Sequence, residues 1–259
     1  MKLNIATYNI CHAQSYDVYC NTGETEISTD NIADVLYRND VAICGMNEVD
    51  WNCPRTEYIN EPYLIAKELT ARTGVQHYWA FAAGLENYYA PHALYGNALI
   101  SRYPIVKSKV VHVAVHEIDP EKPKTQIQKP WYERRALLVA ELDVEGKPMT
   151  VMVTHFGLTE EEQLLMMDVV EKEAAEANGP IFFLGDFNIT NECVNVYTRI
   201  TNLFNDTATD PTMPKTFPST GADRKIDFIF ADKSLTTENC RVEEVQHSDH
   251  LPLFVSTEW

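Results

Sequence analysis

Asp186 and Asn188 flank Phe187 directly after the apolar run 181–184 and Gly185. A buried strand running into a carboxylate and an amide of the same parity sends both side chains to one side. Such a pair can orient or deprotonate a water and steady what that water attacks. The same device recurs along the chain. Asn9 closes LNIATYN, Asn47-Glu48 follow VAICGM, and His155 closes MTVMVTH. Asp227 interrupts KIDFIF, and Ser248-Asp249-His250 separates CRVEEVQ from LPLFVST. If these strand ends converge, they form an oxygen-rich cluster with two imidazoles.

Taken singly, each residue has an ordinary reading. Asn at a strand end is usually a turn residue. Glu48 beside Asp50 reads as a solvated loop charge, and His155 as a hydrogen-bonded core histidine. Asp227 resists this, because a carboxylate inside an apolar strand needs a partner. Arg224 or Lys225 could supply one. It is the joint occurrence that points to a site.

Short apolar strands alternate with loops and a few helices. Strands are expected at 3–9, 41–46, 77–82, 96–101, 105–115, 135–142, 149–155, 181–184, 225–231, 240–246 and 251–257. Asp30 is the expected cap of a helix over NIADVLYR. EPYLIAKELTART, with proline near its start and Gly74 after its end, is a second helix. Thr159 and Glu162 form a capping box for a third over 160–178, which Gly179-Pro180 stops. NECVNVYTRITNL is a fourth. The strand runs are too long for simple βαβ winding, so the pattern predicts two sheets packed face to face with helices outside, a layered α/β sandwich. No interdomain linker or repeat is visible, and residues 1–259 read as one domain.

The formal charge of −17 argues against a protein that grips long duplex DNA, and against adsorption on an anionic membrane. MKLNIATYNI lacks the pattern of a secretory signal, no run reaches the length of a spanning helix, and the six cysteines form no C-x-x-C pair. These features read as a cytoplasmic protein with free thiols.

TYNI, NEVD, YGNALISRYPI, ERRALLVAEL, THFGL, GDFN, KIDFIF and SDHLP resemble, in type and order, the endonuclease/exonuclease/phosphatase superfamily. Its members are DNase I-like metal-dependent phosphoesterases. The resemblance runs from Asn9 to Pro252. It implies a four-layer α/β/β/α sandwich of two mixed β-sheets with the site at one sheet edge. It also implies roles. Glu48 is the central metal ligand, with Asn9 and Asp249 close to the ion. Asp186 orients or deprotonates the attacking water, and Asn188 holds the nucleophile or a phosphoryl oxygen. Asp227 fixes His250, and His250 and His155 donate to the phosphoryl group. Arg135, Asn97 and Tyr95 are the substrate-side candidates. The alternatives are a solvated strand-end arginine for Arg135 and a supporting role for Asn97. Hard oxygen ligands without zinc-type Cys/His spacing suit Mg²⁺ or Mn²⁺, one or two ions.

The substrate is the least legible part. Residues 107–135 carry seven Lys/Arg against four Asp/Glu. Residues 11–29, 84–97 and 205–225 are further loops that could line a pocket, with Tyr88, Tyr89, His92, Tyr95 and Trp131 available for stacking. TFPS before KIDFIF resembles the bacterial, small-molecule branch. The expectation is a phosphodiesterase or phosphatase acting on a small or medium soluble phosphoester. A nuclease for short or single-stranded nucleic acid is the alternative, and a non-catalytic binding module on the same fold is the reading from another class. GD-x-N alone would also fit a calcineurin-like metallophosphatase, but the D-x-H, GNH[DE] and H-x-H motifs of that family are absent.

Overall fold

The computed structural model describes residues 1–113, 134–190, 192–208 and 214–259. Two six-stranded mixed sheets stack face to face. The first has the order β11 (Thr237–Val242), β12 (Leu253–Glu258), β1 (Lys2–Asn9), β2 (Val41–Trp51), β4 (Leu94–Ser101), β3 (Tyr78–Glu86). The second runs β5 (Ile105–His112), β6 (Ala136–Val144), β7 (Lys147–His155), β8 (Ile181–Asp186), β10 (Asp227–Asp232), β9 (Phe204–Asp206). One apolar cluster fills the space between the sheets, with Ile5, Ile43 and Leu99 facing Val151, Val153 and Leu184. The sheets meet closely at Gly45, where an added Cβ would lie 2.9 Å from the Leu184 Cβ.

The outer faces are covered by helices. α2 (Thr29–Arg38) and α3 (Glu61–Thr73) bury Ile32, Leu36, Ile65 and Leu69 against the first sheet. α4 (Glu160–Ala175) and α5 (Val194–Leu203) bury Met166, Val170, Val196 and Ile200 against the phenylalanine-rich back of the second. The four layers of the expected sandwich are therefore present. Among the described residues no helix is long and apolar enough to cross a membrane.

Local signals held where side-chain chemistry fixes an end. Thr159 and Glu162 bond each other's backbone N–H in the capping box. Asn60 caps α3, and Gly74 ends it at φ 71°. α2 corrects the reading at Asp30: Ser28 Oγ accepts from Asn31 N at 3.2 Å and Asp30 lies inside the first turn. α4 stops at Ala175 rather than 178, and α1 (Tyr16–Thr22) forms where only a loop was expected. β11 begins at 237 and ends at 242, so the approach to His250 is irregular chain rather than strand.

The largest departure is in β2. It does not end at Asn47-Glu48 but continues to Trp51, with its register against β4 shifting between Met46 and Val49. Glu48 takes φ 56° in that bulge. A bulge leaves an extra residue unpaired and re-aims its side chain, which is how a residue inside a strand reaches the sheet edge.

Candidate active site

The second sheet supplies one bank of a cleft through register alone. β7 pairs parallel with β8, setting His155 beside Asp186, and β10 pairs antiparallel with β8, setting Asp227 on its other side. Three functional side chains thus stand in one row across three neighbouring strands. Gly185 makes the row possible, since an added Cβ would lie 1.9 Å from the Thr154 carbonyl oxygen. The next residue, Phe187, is buried in the outer core.

Asn188 follows at φ 50°. It lies past the strand, so strict strand parity does not apply, yet it lines the same cleft as Asp186. Its backbone N–H donates to Asp186 Oδ1 at 3.0 Å, and its Nδ2 donates to the Phe156 carbonyl at 3.1 Å. One amide hydrogen is thereby committed, and Oδ1 is the end that Phe156 does not hold.

The first sheet supplies the opposite bank. Asn9 ends β1 with its Oδ1 accepting from Cys11 N at 3.1 Å. Its Nδ2 donates to Glu48 Oε1 at 3.2 Å and to Asp186 Oδ2 at 3.1 Å. Asn9 is therefore close to both carboxylates and faces them with amide hydrogens, bridging the two sheets. Asn47, its parallel neighbour, is a second bridge. Its Oδ1 accepts from Asp186 N at 2.8 Å, and its Nδ2 donates to the Thr154 carbonyl at 2.7 Å and to Asn97 Oδ1 at 2.8 Å.

Asn97 is buried and passes the chain of bonds on, donating to the Ala136 carbonyl at 2.8 Å. Both ends of its amide are engaged internally and it does not line the cleft. Its hydrogen bonds favour the supporting role, and it lines a small pocket beside the cleft with Tyr95, Arg135 and His155.

The SDH turn is held by the TFPS segment. Ser219 N and Oγ donate to the carbonyls of Asp249 and Ser248, both at 2.7 Å. Thr216 Oγ1 accepts from Asp227 N at 3.3 Å, and the Phe217 ring lies 4.7 Å from that of His250. Ser248 Oγ donates to the Asn9 carbonyl at 2.7 Å, tying the turn to β1. Asn47 and Ser248 were noted from the sequence without a role, and Thr216 and Ser219 only as part of TFPS. Their signal was positional only: polar residues next to motif residues in otherwise apolar surroundings.

Electrostatics separates the two histidines. His250 Nδ1 lies 2.8 Å from Asp227 Oδ2. Burial disfavours the imidazolium, but the Asp227 charge and hydrogen bond outweigh it and push His250 up to about 10. Its Nε2 then points at Asp186 Oδ2, 3.7 Å away. His155 Nε2 is 3.4 Å from the same oxygen. Burial, followed by the charges of Arg135 and His250, holds His155 well below the usual imidazole range. One imidazolium and one neutral imidazole thus face a single carboxylate. Burial and then the Asp227 charge push Asp186 up to about 7, against the pull of His250.

The cleft between the banks is about 490 Å³. Glu48, His155, Asp186, Asn188, Asp249 and His250 line it, with Arg135, Arg55, Arg224, Tyr88 and Tyr95 toward its mouth. Tyr88 and Tyr95 stack at 5.0 Å, and Arg55 lies 5.1 Å from the Tyr88 ring centroid and 5.4 Å from that of Tyr95. Tyr89 packs on Tyr88, whereas His92 stays outside the lining. Trp131 and the basic stretch around it lie outside the described residues.

A match to the Endonuclease/Exonuclease/phosphatase family extends over residues 6–250. The chain belongs to that family. Family members are in general phosphoester hydrolases, typically dependent on a divalent metal. Solved structures agree on the fold. A family protein from Beutenbergia cavernae superposes with a TM-score of 0.78 at 21% identity, covering 99% of this chain and 71% of its own. One from Bacteroides vulgatus gives 0.71 at 20% identity, covering 100% and 99%. A mannosyl-6-phosphatase of Bacteroides thetaiotaomicron gives 0.71 at 16% identity, covering 99% and 100%. No protein of curated function matches the sequence.

The residues fit a divalent cation at the Glu48 end. Glu48 is half-buried, and desolvation and then the charge of Asp249 raise its pKa against the pull of Asn9, His250 and Arg135. Two carboxyl groups that line one cleft, Asp249 raising the proton affinity of Glu48, are an arrangement that a hard cation would neutralise. The other acidic group differs. Asp186 and Asp227 share the His250 imidazolium, although the Asp227 charge still raises the pKa of Asp186.

Proposed function

We propose that this chain hydrolyses a phosphoester of a small or medium-sized substrate by in-line attack of a water activated by Asp186. The observation that carries the reading is the position of the Asp186 carboxylate. It accepts from Asn9, stands within 3.7 Å of two imidazoles of opposite charge state, and opens on the same cleft as Glu48 and Asp249. A carboxyl group poised near neutrality suits a general base, and two titratable groups with separated proton affinities beside it suit donors to a developing oxyanion.

In this reading Asn188 Oδ1 accepts from the water and Asp186 takes its proton. His250 and neutral His155 donate to phosphoryl oxygens, with Arg135 adding positive charge. Glu48 and Asp249 would hold Mg²⁺ or Mn²⁺, which when bound would neutralise phosphoryl and leaving-group oxygens. Asn9 keeps the two banks at a fixed separation. Asp227 acts through His250 as a positioning residue.

A compact cleft with an aromatic and arginine-lined mouth suits a ring-bearing phosphoester. The structural likeness to a mannosyl-6-phosphatase makes a sugar phosphate one candidate class. The stacked Tyr88–Tyr95 pair would equally accept a base, so a short single-stranded oligonucleotide is the second reading.

The test is turnover of bis(p-nitrophenyl) phosphate, p-nitrophenyl phosphate and a labelled oligonucleotide with Mg²⁺, Mn²⁺ or EDTA, in wild type and Asp186→Asn. Metal-dependent turnover lost in the variant is expected. Preference for the monoester selects a phosphatase, and preference for the diester a phosphodiesterase. An Asp186→Asn protein of unchanged activity would overturn the mechanism.

A further inference from the structure

Just past β1 the backbone does something that anchoring Asn9 does not require. Cys11, His12 and Ala13 take φ of 44°, 46° and 52° in succession. Left-handed conformations cost roughly 1–2 kcal/mol each for ordinary side chains. Such runs persist where surrounding contacts enforce them, and they concentrate at functional sites. Here the run curls the chain back toward the β2 bulge, where Glu48 is itself left-handed. The Cys11 sulfur, an imidazole nitrogen of His12 and a Glu48 carboxylate oxygen come to lie within 4.8 Å of one another.

We propose that Cys11, His12 and Glu48 form a binding site for a borderline-soft divalent transition metal of the Zn²⁺ type. The site shares Glu48 with the hard-cation position of the proposed mechanism but differs from it in ligand chemistry. Tetrahedral zinc with bonds of 2.0–2.3 Å sets its ligand atoms about 3.3–3.8 Å apart. The three groups therefore need to close inward by about an ångström at most. His12 Nδ1 is a buried nitrogen with no hydrogen-bond partner, so its lone pair or proton is not already spent.

Asp249, which lines the same cleft as Glu48, is the natural source of a fourth oxygen. The nearest cation, Arg55, is committed to Asp50 through bonds of 2.7 and 2.9 Å. Its charge still reaches Cys11 and His12, where it favours the thiolate and the neutral imidazole that a metal needs. Thiolate and imidazole select Zn²⁺, Co²⁺ and Cu ions and offer nothing to Mg²⁺. Binding replaces the Cys11 S–H bond by a sulfur–metal bond and releases that proton to solvent. Because Glu48 serves both sites, a soft ion displaces the hard one; this last consequence rests on the reading of Glu48 given under the proposed function.

The experiment is a titration of the reduced full-length protein with Co²⁺, followed by the thiolate-to-cobalt charge-transfer absorption and by displacement with Zn²⁺. One equivalent of Co²⁺ should produce the band, and Zn²⁺ should abolish it. Cys11→Ser should remove the band, and His12→Ala should weaken binding at least about tenfold, the loss of one ligand bond. A Cys20→Ser/Cys193→Ser protein should keep the band, because these exposed thiols lie outside the cluster. No band in wild type, or a band that survives both Cys11→Ser and His12→Ala, would overturn the proposal. Asp186→Asn should bind Co²⁺ like wild type. The readout therefore stands even if the hydrolytic mechanism fails.

Discussion

The two banks of the cleft are built in opposite ways. On the second sheet, His155, Asp186 and Asp227 are adjacent because β7, β8 and β10 are adjacent, and regular pairing does all the positioning. Asp186 and Asp227 share the His250 imidazolium, which offsets part of their charge, and Asp227 Oδ1 is left without a partner. On the first sheet, Glu48 comes from a bulge, and Cys11 and His12 from a left-handed turn. That bank holds more carboxylate than cation. Regular pairing sets carboxylates beside imidazoles, whereas irregular backbone gathers a carboxylate, a thiol and an imidazole. In the proposed function the first arrangement handles protons and the second lies where the ion would bind.

The sharpest break comes at Asp186. Asp186→Asn keeps the shape and removes the base, so kcat should fall by about 10²–10⁴-fold with circular dichroism and melting nearly unchanged. Next is Asn47→Ala, which strands Asp186 N, the Thr154 carbonyl and Asn97 Oδ1 between the sheets. A loss of about 2–4 kcal/mol is expected in denaturant unfolding, with activity falling alongside. Cutting only the coupling between Asp227 and His250 has a smaller and more diagnostic effect. In Asp227→Asn the main support of the His250 imidazolium is lost and only the charges of Asp186 and Asp249 still oppose burial, so its proton affinity falls. Turnover should drop roughly tenfold to a hundredfold at neutral pH, and the alkaline limb of the pH–rate profile should move to lower pH.

The smallest effect tests the unbalanced charge of the first-sheet bank. Glu61 is fully buried and accepts from Asp50 N at 2.7 Å, while its Oε1 has no partner. Burial and then Asp50 hold its carboxyl well above the usual range. Its folded pKa exceeds the unfolded value, so the unfolded chain gives up this proton first as pH rises. The folded state is then penalised progressively from the ordinary carboxylate range upward, and not below it. Glu61→Gln should melt a few degrees higher than wild type near pH 8, with the difference vanishing below about pH 4.

Sequence reading recovered the second-sheet bank better than the first, for the same physical reason. Strand periodicity and a terminal carboxylate are legible in IFFLGDFN, and the register follows from them. Glu48 was singled out but placed at a strand end, because a bulge leaves no compositional mark and Val49-Asp50-Trp51 does not look like a continuation. The bridging role of Asn47 and the clamp of Thr216 and Ser219 on the SDH turn depend on contacts between residues 29 to 139 positions apart. No local pattern encodes such contacts. The helix ends were legible at the Thr159 capping box and at Gly74, and missed where two candidates compete, as between Ser28 and Asp30; the Asn60 cap was found only in the structure.

The pairing of β8 with both of its neighbours has a consequence for errors in folding. Side chains on a strand alternate, so a slip of one residue would swing Asp186 into the apolar interior and bring Phe187 out into water. No partly correct alignment exists between the two. A molecule whose central strand settles one place out of step exposes an aromatic ring and has no activity at the same time. Quality control that senses exposed aromatic surface would then also remove the inactive copies, without any need to inspect the active site.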